Sequence, residues 1–394
     1  MAAHIQLKRG KEESLRRFHP WIFSGAIERI AGEPAEGDIV EVRTHGGDFI
    51  AMGHYQIGSI AVRVLSFGEL TIDQQWWNRR VAVAADLRRS LGLRDNPLTT
   101  CYRLIHGEGD SLPGLVVDIY DRVAVVQCHS VGMYRSRSQI AEAIRTVMPE
   151  IEAIYDKSSQ TVPYNAQLGA VDGYLWGAGG EESRTVLENG HKFSVNWVKG
   201  QKTGFFIDQR CNRYLVGRYA RGRRVLNTFC YTGGFSVYAL AQGAREVYSV
   251  DSSERAVRLA DENVVLNFGP EVNHTAIAAD AFEYLRQTDE KFDMIILDPP
   301  AFAKHHKVLG NAMQGYKRLN ARALSMIEPG GILFTFSCSQ AVSKELFRTT
   351  VFSAAAIAGR KVRILHQLTQ PADHPIDIYH PEGEYLKGLG LFVE

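Results

Sequence analysis

The sequence predicts an α/β protein: a doubly wound parallel sheet in its C-terminal part, preceded by a small β-rich unit and a small α+β unit. Three observations lead there. From about residue 224 to the end, short apolar runs alternate with helix-like stretches, as strands and crossover helices do in a parallel sheet. The first 70 or so residues carry period-two alternations punctuated by glycine, the mark of half-buried strands. And a chain of 394 residues is longer than one hydrophobic core usually supports.

Taken in order, Gly37-Asp38-Ile39-Val40-Glu41-Val42 and Ile60-Ala61-Val62-Arg63-Val64-Leu65 alternate as strands. Ahead of them, Lys8-Arg9-Gly10-Lys11 and Arg16-Arg17-Phe18-His19-Pro20-Trp21 interleave basic with aromatic residues. A surface that tracks RNA needs that mixture, since phosphates attract cations and bases lie on flat apolar faces. Lys8, Arg9, Lys11, Arg16 and Arg17 are therefore candidate RNA contacts, although the same residues suit a solvated basic turn beside a core tryptophan. Trp76, Trp77, Val81, Ala84, Ala85 and Leu87 recur at helical spacing over residues 76–95. Residues 103–157 then read strand, strand, helix, strand. Leu115-Val116-Val117 and Val123-Ala124-Val125-Val126 flank the turn Tyr120-Asp121-Arg122, and the helix covers roughly 137–148. No motif in this unit carries evident chemistry. Gly177, Gly179, Gly180, Glu181-Glu182-Ser183 and Asn189-Gly190 make 172–190 a linker leading into a hairpin. The remaining strands are expected at 224–229, 246–251, 274–279, 292–297, 331–337, 361–367 and 385–393. The expected division is 1–72, 73–180 and 181–394.

Composition narrows the class. Apolar residues make up 45% and charged residues 23%, ordinary proportions that exclude a mainly disordered, collagen-like or disulfide-stapled chain. Lys and Arg number 45 against 44 acidic residues, so any basic surface must come from local clustering. No apolar run reaches the ~18 residues of a spanning helix, and the N-terminal stretch is charged throughout, so no membrane partner is expected. Cys101, Cys128, Cys211, Cys230 and Cys338 form no CxxC pair and no zinc-spaced cluster. No metal is expected, and the scattered cysteines suit a reducing cytoplasm.

In a doubly wound sheet the first strand–helix loop is the natural cradle for a nucleotide-like ligand. Here it reads Val225-Leu226-Asn227-Thr228-Phe229-Cys230-Tyr231-Thr232-Gly233-Gly234-Phe235-Ser236. Phe229 and Tyr231 stand where GxGxxG has its first two glycines, which disfavours a dinucleotide because pyrophosphate needs close backbone approach. S-adenosylmethionine, lacking phosphates, tolerates bulkier residues. Asp251 ends the second strand, where a carboxylate accepts from both ribose hydroxyls, with Ser252 beside it. Asp280 and Ala281 follow the third strand, at the adenine edge, and Asp298 ends the fourth. Any one of these acids could simply cap the following helix; three at successive strand ends favour a cofactor site.

Asp298-Pro299-Pro300-Ala301-Phe302 is a rigid turn at the place where a transferred methyl group would emerge. Its prolines donate no hydrogen bond, and Phe302 could stack on an extruded base. Such turns serve methylation of planar nitrogenous targets. Cys338 ends the fifth strand, next to the strand of Asp298. Carbon 5 of a pyrimidine takes a methyl group only after a thiolate adds to carbon 6, with a carboxylic acid near ring nitrogen 3 stabilising the adduct. Cys338 as nucleophile and Asp298 as that acid meet both needs. Cys230 lies in the cofactor loop, and Cys101, Cys128 and Cys211 are expected to be structural.

These residues resemble a known family. Residues 11–25, with His19-Pro20-Trp21-Ile22-Phe23-Ser24-Gly25, are similar to the opening of a PUA domain, an RNA-binding β-barrel. Arg103, Glu108, Asp110, Leu112-Pro113-Gly114-Leu115, Asp118 and Tyr120 resemble the central domain of PUA-containing ribosomal RNA methyltransferases. Glu188-Asn189-Gly190, the block from Gly200 to Arg210, Asp373-His374-Pro375 and Tyr385-Leu386-Lys387-Gly388-Leu389 extend the resemblance over nearly the whole chain. It implies an N-terminal PUA-like β-barrel, a small central α+β domain and a C-terminal Rossmann-like seven-stranded methyltransferase fold. The implied activity is formation of 5-methylcytidine in large-subunit ribosomal RNA from S-adenosylmethionine. Gln209, Arg210, Phe229, Tyr231, Thr232 and Gly233 would line the cofactor, and Cys338 and Asp298 would be catalytic. Ribosomal RNA is the implied partner, and a homodimer stays open. Two departures matter: Ala301 stands where many RNA cytosine-5 methyltransferases place a second cysteine, and Asn227 where Asp is commoner. The base that removes the carbon-5 proton is thus unassigned, with His374 a candidate. Two other readings remain: an RNA base amino-group methyltransferase centred on Asp298-Pro299-Pro300, and a non-catalytic RNA-binding protein with a vestigial fold.

Overall fold

The alternating residues of the N-terminal segment pair into one sheet. β1 (His4–Leu7), β2 (Trp21–Phe23), β3 (Ile27–Ala31), β4 (Ile39–Arg43), β5 (Phe49–Tyr55) and β6 (Ile60–Ser66) take the order β2-β6-β5-β4-β1-β3, and α1 (Glu13–Arg16) follows β1. Ile5, Leu7, Val40, Val42, Val62 and Val64 share one core, as a period of two requires. The structure, a computed structural model, describes residues 3–163, 166–178, 183–303 and 308–394.

The next stretch comprises α2 (Gln74–Ser90), β7 (Cys101–His106), β8 (Leu115–Tyr120), β9 (Val123–Cys128), α3 (Val131–Arg135), α4 (Arg137–Val147), β10 (Ala153–Asp156) and β11 (Gly173–Trp176). Its five strands run in the order β11-β10-β9-β8-β7. Most of the predicted stripe of α2 is buried here: Trp76, Trp77, Val81, Ala84 and Ala85 pack with Ile140 and Ile144 of α4, whereas Leu87, also expected on it, is exposed. Asp73 starts α2 by accepting the Trp76 N–H. β11 corrects the linker expectation. It pairs antiparallel with β10, and Leu175 and Trp176 pack against the core, so apolar residues between glycines were building a strand. Gly179, Gly180, Glu181 and Glu182 lie outside the described residues. The hairpin follows as expected, with β12 (Ser183–Glu188) and β13 (His191–Asn196). Asn189 and Gly190 turn it at φ 50° and 83°, the two positive values of a type I′ turn.

The chain forms two compact units. The first takes residues up to 186 with 195–205 and 372–383, and the second takes 187–194, 206–371 and 384–394. In the second lie α5 (Arg210–Tyr219), β14 (Arg224–Thr228), α6 (Gly234–Ala241), β15 (Glu246–Asp251), α7 (Glu254–Phe268), β16 (His274–Ala278) and α8 (Ala281–Gln287). They are followed by β17 (Phe292–Leu297), α9 (Leu309–Met326), β18 (Ile327–Ser337), α10 (Lys344–Ile357), β19 (Val362–Thr369) and β20 (Lys387–Val393). The sheet order is β16-β15-β14-β17-β18-β20-β19. Successive strand residues feed opposite layers. Val225, Met294, Ile296, Ile332 and Phe334 pack with α5 and α6, whereas Leu226, Ile295, Leu297 and Leu333 pack with α8, α9 and α10.

β20 departs from the all-parallel expectation, running antiparallel to both β18 and β19. Parallel neighbours need a crossover connection, usually a helix. No α-helix lies between β19 and β20 among the described residues. The strand order reverses at β14 and β17, and a ligand is expected outside the carboxyl ends of the strands at that switch point.

Candidate active site

The loop after β14 turns sharply. Phe229 and Tyr231 both have positive φ, at 56° and 46°, so the backbone departs from the strand direction before α6 begins. Asp251, the last residue of β15, ties this loop in place. Its Oδ2 accepts the Tyr231 N–H at 3.0 Å, and its Oδ1 accepts the Ser253 N–H at 3.0 Å. Each carboxylate oxygen has a second lone pair for a ligand hydroxyl. Asp280 is the N-cap of α8, accepting the Glu283 N–H at 3.0 Å, so helix capping is realised for one member of the acid triplet. Ser252 is exposed; Ala281 and Thr232 are buried. Asn227, the departure from Asp, is buried and donates to Ser236 Oγ at 2.8 Å, which in turn meets Ser249 Oγ at 2.7 Å. A neutral amide suits that buried hydroxyl chain better than a carboxylate does.

Asp298 follows β17 and meets neighbours whose effect on it spacing did not reveal. Burial, and then the nearby Asp208, push its carboxyl up to about 7, against the pull of a hydrogen bond from Gln209 and the charge of Arg213. The Gln209 amide is oriented for this, because its oxygen accepts from Asn212 Nδ2 at 2.6 Å. Asp208 Oδ2 accepts the Tyr385 hydroxyl at 2.7 Å. Arg213 is buried and forms a bidentate pair with Glu188 at 2.7 and 2.6 Å, while also donating to the Phe206 carbonyl. It passes so close to α6 that a Cβ on Gly234 would lie 2.8 Å from its Cδ, which is why that position needs glycine. Arg210, at the start of α5, is buried.

Cys338, just beyond β18, reaches the Asp298 turn: its Sγ lies 4.0 Å from the Pro299 carbonyl oxygen. The residues on either side of it are fixed by one phenol. Ser337 Oγ donates to Tyr316 Oη at 2.9 Å, and Tyr316 Oη meets Ser339 Oγ at 3.1 Å. Lys387 of β20 is buried at 4% exposure and donates to the Ser339 and Val342 carbonyls at 2.6 and 2.7 Å. Phe302 packs at a tilt against Phe282 and Tyr316, with ring centres 5.9 and 4.6 Å away. Its ring is therefore engaged within the fold, a use that the stacking expectation did not include.

The other cysteines differ. Burial pushes the Cys230 thiol well above its ordinary value and the Cys128 thiol up to about 12, and Cys101 is fully buried. Cys211, expected to be structural, is exposed, because α5 buries Arg210, Arg213, Val216 and Gly217 and leaves position 211 off that stripe. His374 is buried, with its Nδ1 3.2 Å from Asp373 Oδ1 and its ring 5.0 Å from that of His106. Asp373 also accepts the Arg103 N–H, so these contacts give His374 a structural use. Among the described residues, His19, His380 and Glu382 bring three potential metal-ligand atoms within 4.8 Å of one another. His380 Nδ1 lies 2.9 Å from Glu382 Oε2.

In the first unit, Lys8, Arg9, Lys11, Arg16 and Arg17 are all exposed. Lys8 donates to the Gly25 carbonyl at 2.9 Å. Lys11, Trp21, Ile22 and Phe23 line a cavity of about 450 Å³. Trp21 is only partly buried, and its Nε1 donates to Glu108 at 2.8 Å. No helix among the described residues is long and apolar enough to cross a membrane.

The strand-end site fits S-adenosylmethionine chemically. It offers an acid with spare lone pairs at the ribose position, a loop without the glycines a pyrophosphate needs, and a partly shielded acid at the transfer end. Comparison with known proteins agrees. The profile of S-adenosylmethionine-dependent methyltransferases matches residues 164–380, and that of PUA-like domains matches residues 5–67. Ribosomal RNA large subunit methyltransferase I of Aeromonas hydrophila is 44% identical over 395 residues, covering 99% of each chain. The protein of the same name from Photobacterium profundum is 41% identical over 400 residues, covering 100% of each. A solved S-adenosylmethionine-dependent methyltransferase from Streptococcus mutans shares the fold, with a TM-score of 0.84 and 23% identity over 99% of each chain. A methyltransferase solved in complex with SAH gives 0.85 and 24%, also over 99% of each chain. The expected PUA-like β region and Rossmann-like domain are both present. With a full-length match of this identity, the chain belongs to the S-adenosylmethionine-dependent methyltransferases, and among them to the family of ribosomal RNA large subunit methyltransferase I.

Proposed function

We propose that this chain methylates carbon 5 of a cytidine in large-subunit ribosomal RNA, in the cytoplasm, through a covalent Cys338 adduct. Residues 1–72 would hold RNA through Lys8, Arg9, Lys11, Arg16 and Arg17, residues 73–180 would form the central domain, and 181–394 would carry the chemistry. The RNA class is supported by the names of the full-length relatives. The acceptor atom is supported by one observation above the rest: Cys338 Sγ within 4.0 Å of the Pro299 carbonyl, on the turn that Asp298 begins.

Bound S-adenosylmethionine supplies an electrophilic methyl group. Asp251 and Ser252 would hold its ribose, Asp280 and Ala281 its adenine, and Gln209, Arg210, Phe229, Tyr231, Thr232 and Gly233 the rest. The Cys338 thiolate adds to carbon 6 of the base, and the new electron pair spreads toward carbon 5 and nitrogen 3. Asp298, whose carboxyl is pushed up to about 7, keeps its proton near neutral pH and donates to nitrogen 3, so charge does not accumulate on the ring. Tyr316 holds Ser337 and Ser339 on either side of the sulfur, which fixes the line of attack. After methylation, solvent water takes the carbon-5 proton, nitrogen 3 returns its proton to Asp298, and the double bond re-forms as Cys338 leaves as a thiolate.

RNA carrying 5-fluorocytidine at the target tests this reading, because fluorine cannot leave as a cation and elimination stops after methylation. A covalent, methylated protein–RNA complex is expected, lost in Cys338→Ala and retained in Cys230→Ala. An active Cys338→Ala enzyme yielding an N-methylated base would overturn the reading in favour of amino-group methylation.

A further inference from the structure

Lys387 is a buried cation with a specific posture. In the sheet it pairs with Ser337, the residue before Cys338, and its ammonium donates to the carbonyls of Ser339 and Val342. The same loop thus carries the sulfur and receives the charge. A buried ammonium is costly unless it is paired as well as hydrogen-bonded, and two carbonyl acceptors supply hydrogen bonds without a countercharge. The surrounding charges show what it faces. Glu384 is engaged by Lys344 as an ion pair, and Cys338, Glu384 and Lys344 are the groups that act electrostatically on Lys387. Its ammonium is held down at about 8, burial being the largest cause, with Cys338 and then Glu384 acting in the opposite direction and Lys344 adding to the fall.

We propose that Lys387 is the positioning residue of the nucleophile: it clamps the Ser339–Val342 loop and sets a positive charge beside the Cys338 sulfur, which favours the thiolate needed for addition to carbon 6. The proposal rests on the reading of Cys338 as nucleophile and adds the group that activates it. Thiolates are stabilised next to ammonium groups in this way, and no direct bond between Lys387 and the substrate is required.

The test measures alkylation of Cys338 by iodoacetamide across pH, followed by peptide mass in the full chain without RNA. In the unaltered protein the pH midpoint is expected below that of a cysteine in an unstructured peptide. A midpoint at or above that value overturns the proposal without any variant. Lys387→Gln keeps a donor for the carbonyls but removes the charge. It is expected to raise the midpoint by about one pH unit and slow alkylation at neutral pH about tenfold, with S-adenosylmethionine affinity unchanged. Lys387→Arg, which keeps the charge, is expected to restore the midpoint. Equal midpoints in the Gln variant and the parent, or equal shifts in the Gln and Arg variants, would leave Lys387 only a loop clamp and refute the activation. The fluorocytidine trap stands apart from this assay. A trap that fails while the alkylation shift persists removes the nucleophile reading and not the Lys387–Cys338 coupling.

Discussion

Replacing Asp298 with Asn is expected to make the protein more stable and inactive at once. Its carboxyl moves from an ordinary 3.8 to about 7 in the folded chain, mainly through burial and then through Asp208. A shift of about three units corresponds to about 4 kcal/mol. The sign follows from proton binding. The unfolded carboxyl ionises near its ordinary value while the folded one keeps its proton, so stability falls as pH rises through that interval and the full penalty stands above pH 7. Asn carries no such charge and escapes the penalty. Because Asp298 is only partly shielded from solvent, water screens part of it, and about 2 kcal/mol at pH 8 is the working expectation. The substitution keeps the local bonding: Gln209, with its oxygen held by Asn212, still has an N–H to donate to the new amide oxygen.

The assay is thermal or urea unfolding of both proteins at pH 5 and pH 8, with methyl transfer to ribosomal RNA measured alongside. The variant's advantage at pH 5 should be roughly a third of that at pH 8, since most of the folded carboxyl's excess proton uptake lies above pH 5. Turnover should be lost at both. An advantage that does not change with pH, or a variant less stable at pH 8, would refute the claim that a proton-holding acid sits at this turn.

Two further outcomes are expected. Asp251→Ala should weaken S-adenosylmethionine binding by at least about a hundredfold, because two charge-assisted hydrogen bonds at ~1.5–3 kcal/mol each are removed. Asp251→Asn should fall between the two, and unchanged affinity by calorimetry would take Asp251 out of the cofactor site. Replacing Lys8, Arg9, Lys11, Arg16 and Arg17 together with Gln should flatten the slope of log RNA affinity against log salt, by about 0.7 for each phosphate that the cluster neutralises on single-stranded RNA. An unaltered slope would show that this exposed cluster touches no phosphate.

The second unit's strands were legible because strands buried on both faces read as continuous apolar runs. Val225-Leu226, Ile295-Ile296-Leu297 and Ile332-Leu333-Phe334 each supply both layers of the sandwich. The direction of β20 was not legible. It depends on what connects it to β19, and a period of residues says nothing about a connection. β11 was hidden for another reason: three residues between glycines look like a linker until Leu175 and Trp176 are seen to pack.

At the site, sequence spacing found positions better than it found states. Asp251, Asp280 and Asp298 look equivalent as three acids at three successive strand ends, yet their surroundings give them three different uses. Asp251 receives two backbone N–H groups and braces the cofactor loop. Asp280 spends one oxygen on capping α8. Asp298 is desolvated and also meets another acid, and the two together push its carboxyl up to about 7. What separates it comes from afar in sequence: Asp208 is 90 residues before it, and Tyr385, which donates to Asp208, follows that aspartate by 177 residues. Lys387 reaches the Cys338 loop in the same way, from the strand paired across the sheet. Both Asp208 and Lys387 stood inside sequence blocks that matched the family without any role attached to them. A strand-end pattern can therefore nominate a nucleophile and an acid, but whether the thiol ionises and the carboxyl stays protonated is decided by partners that only the folded sheet brings together.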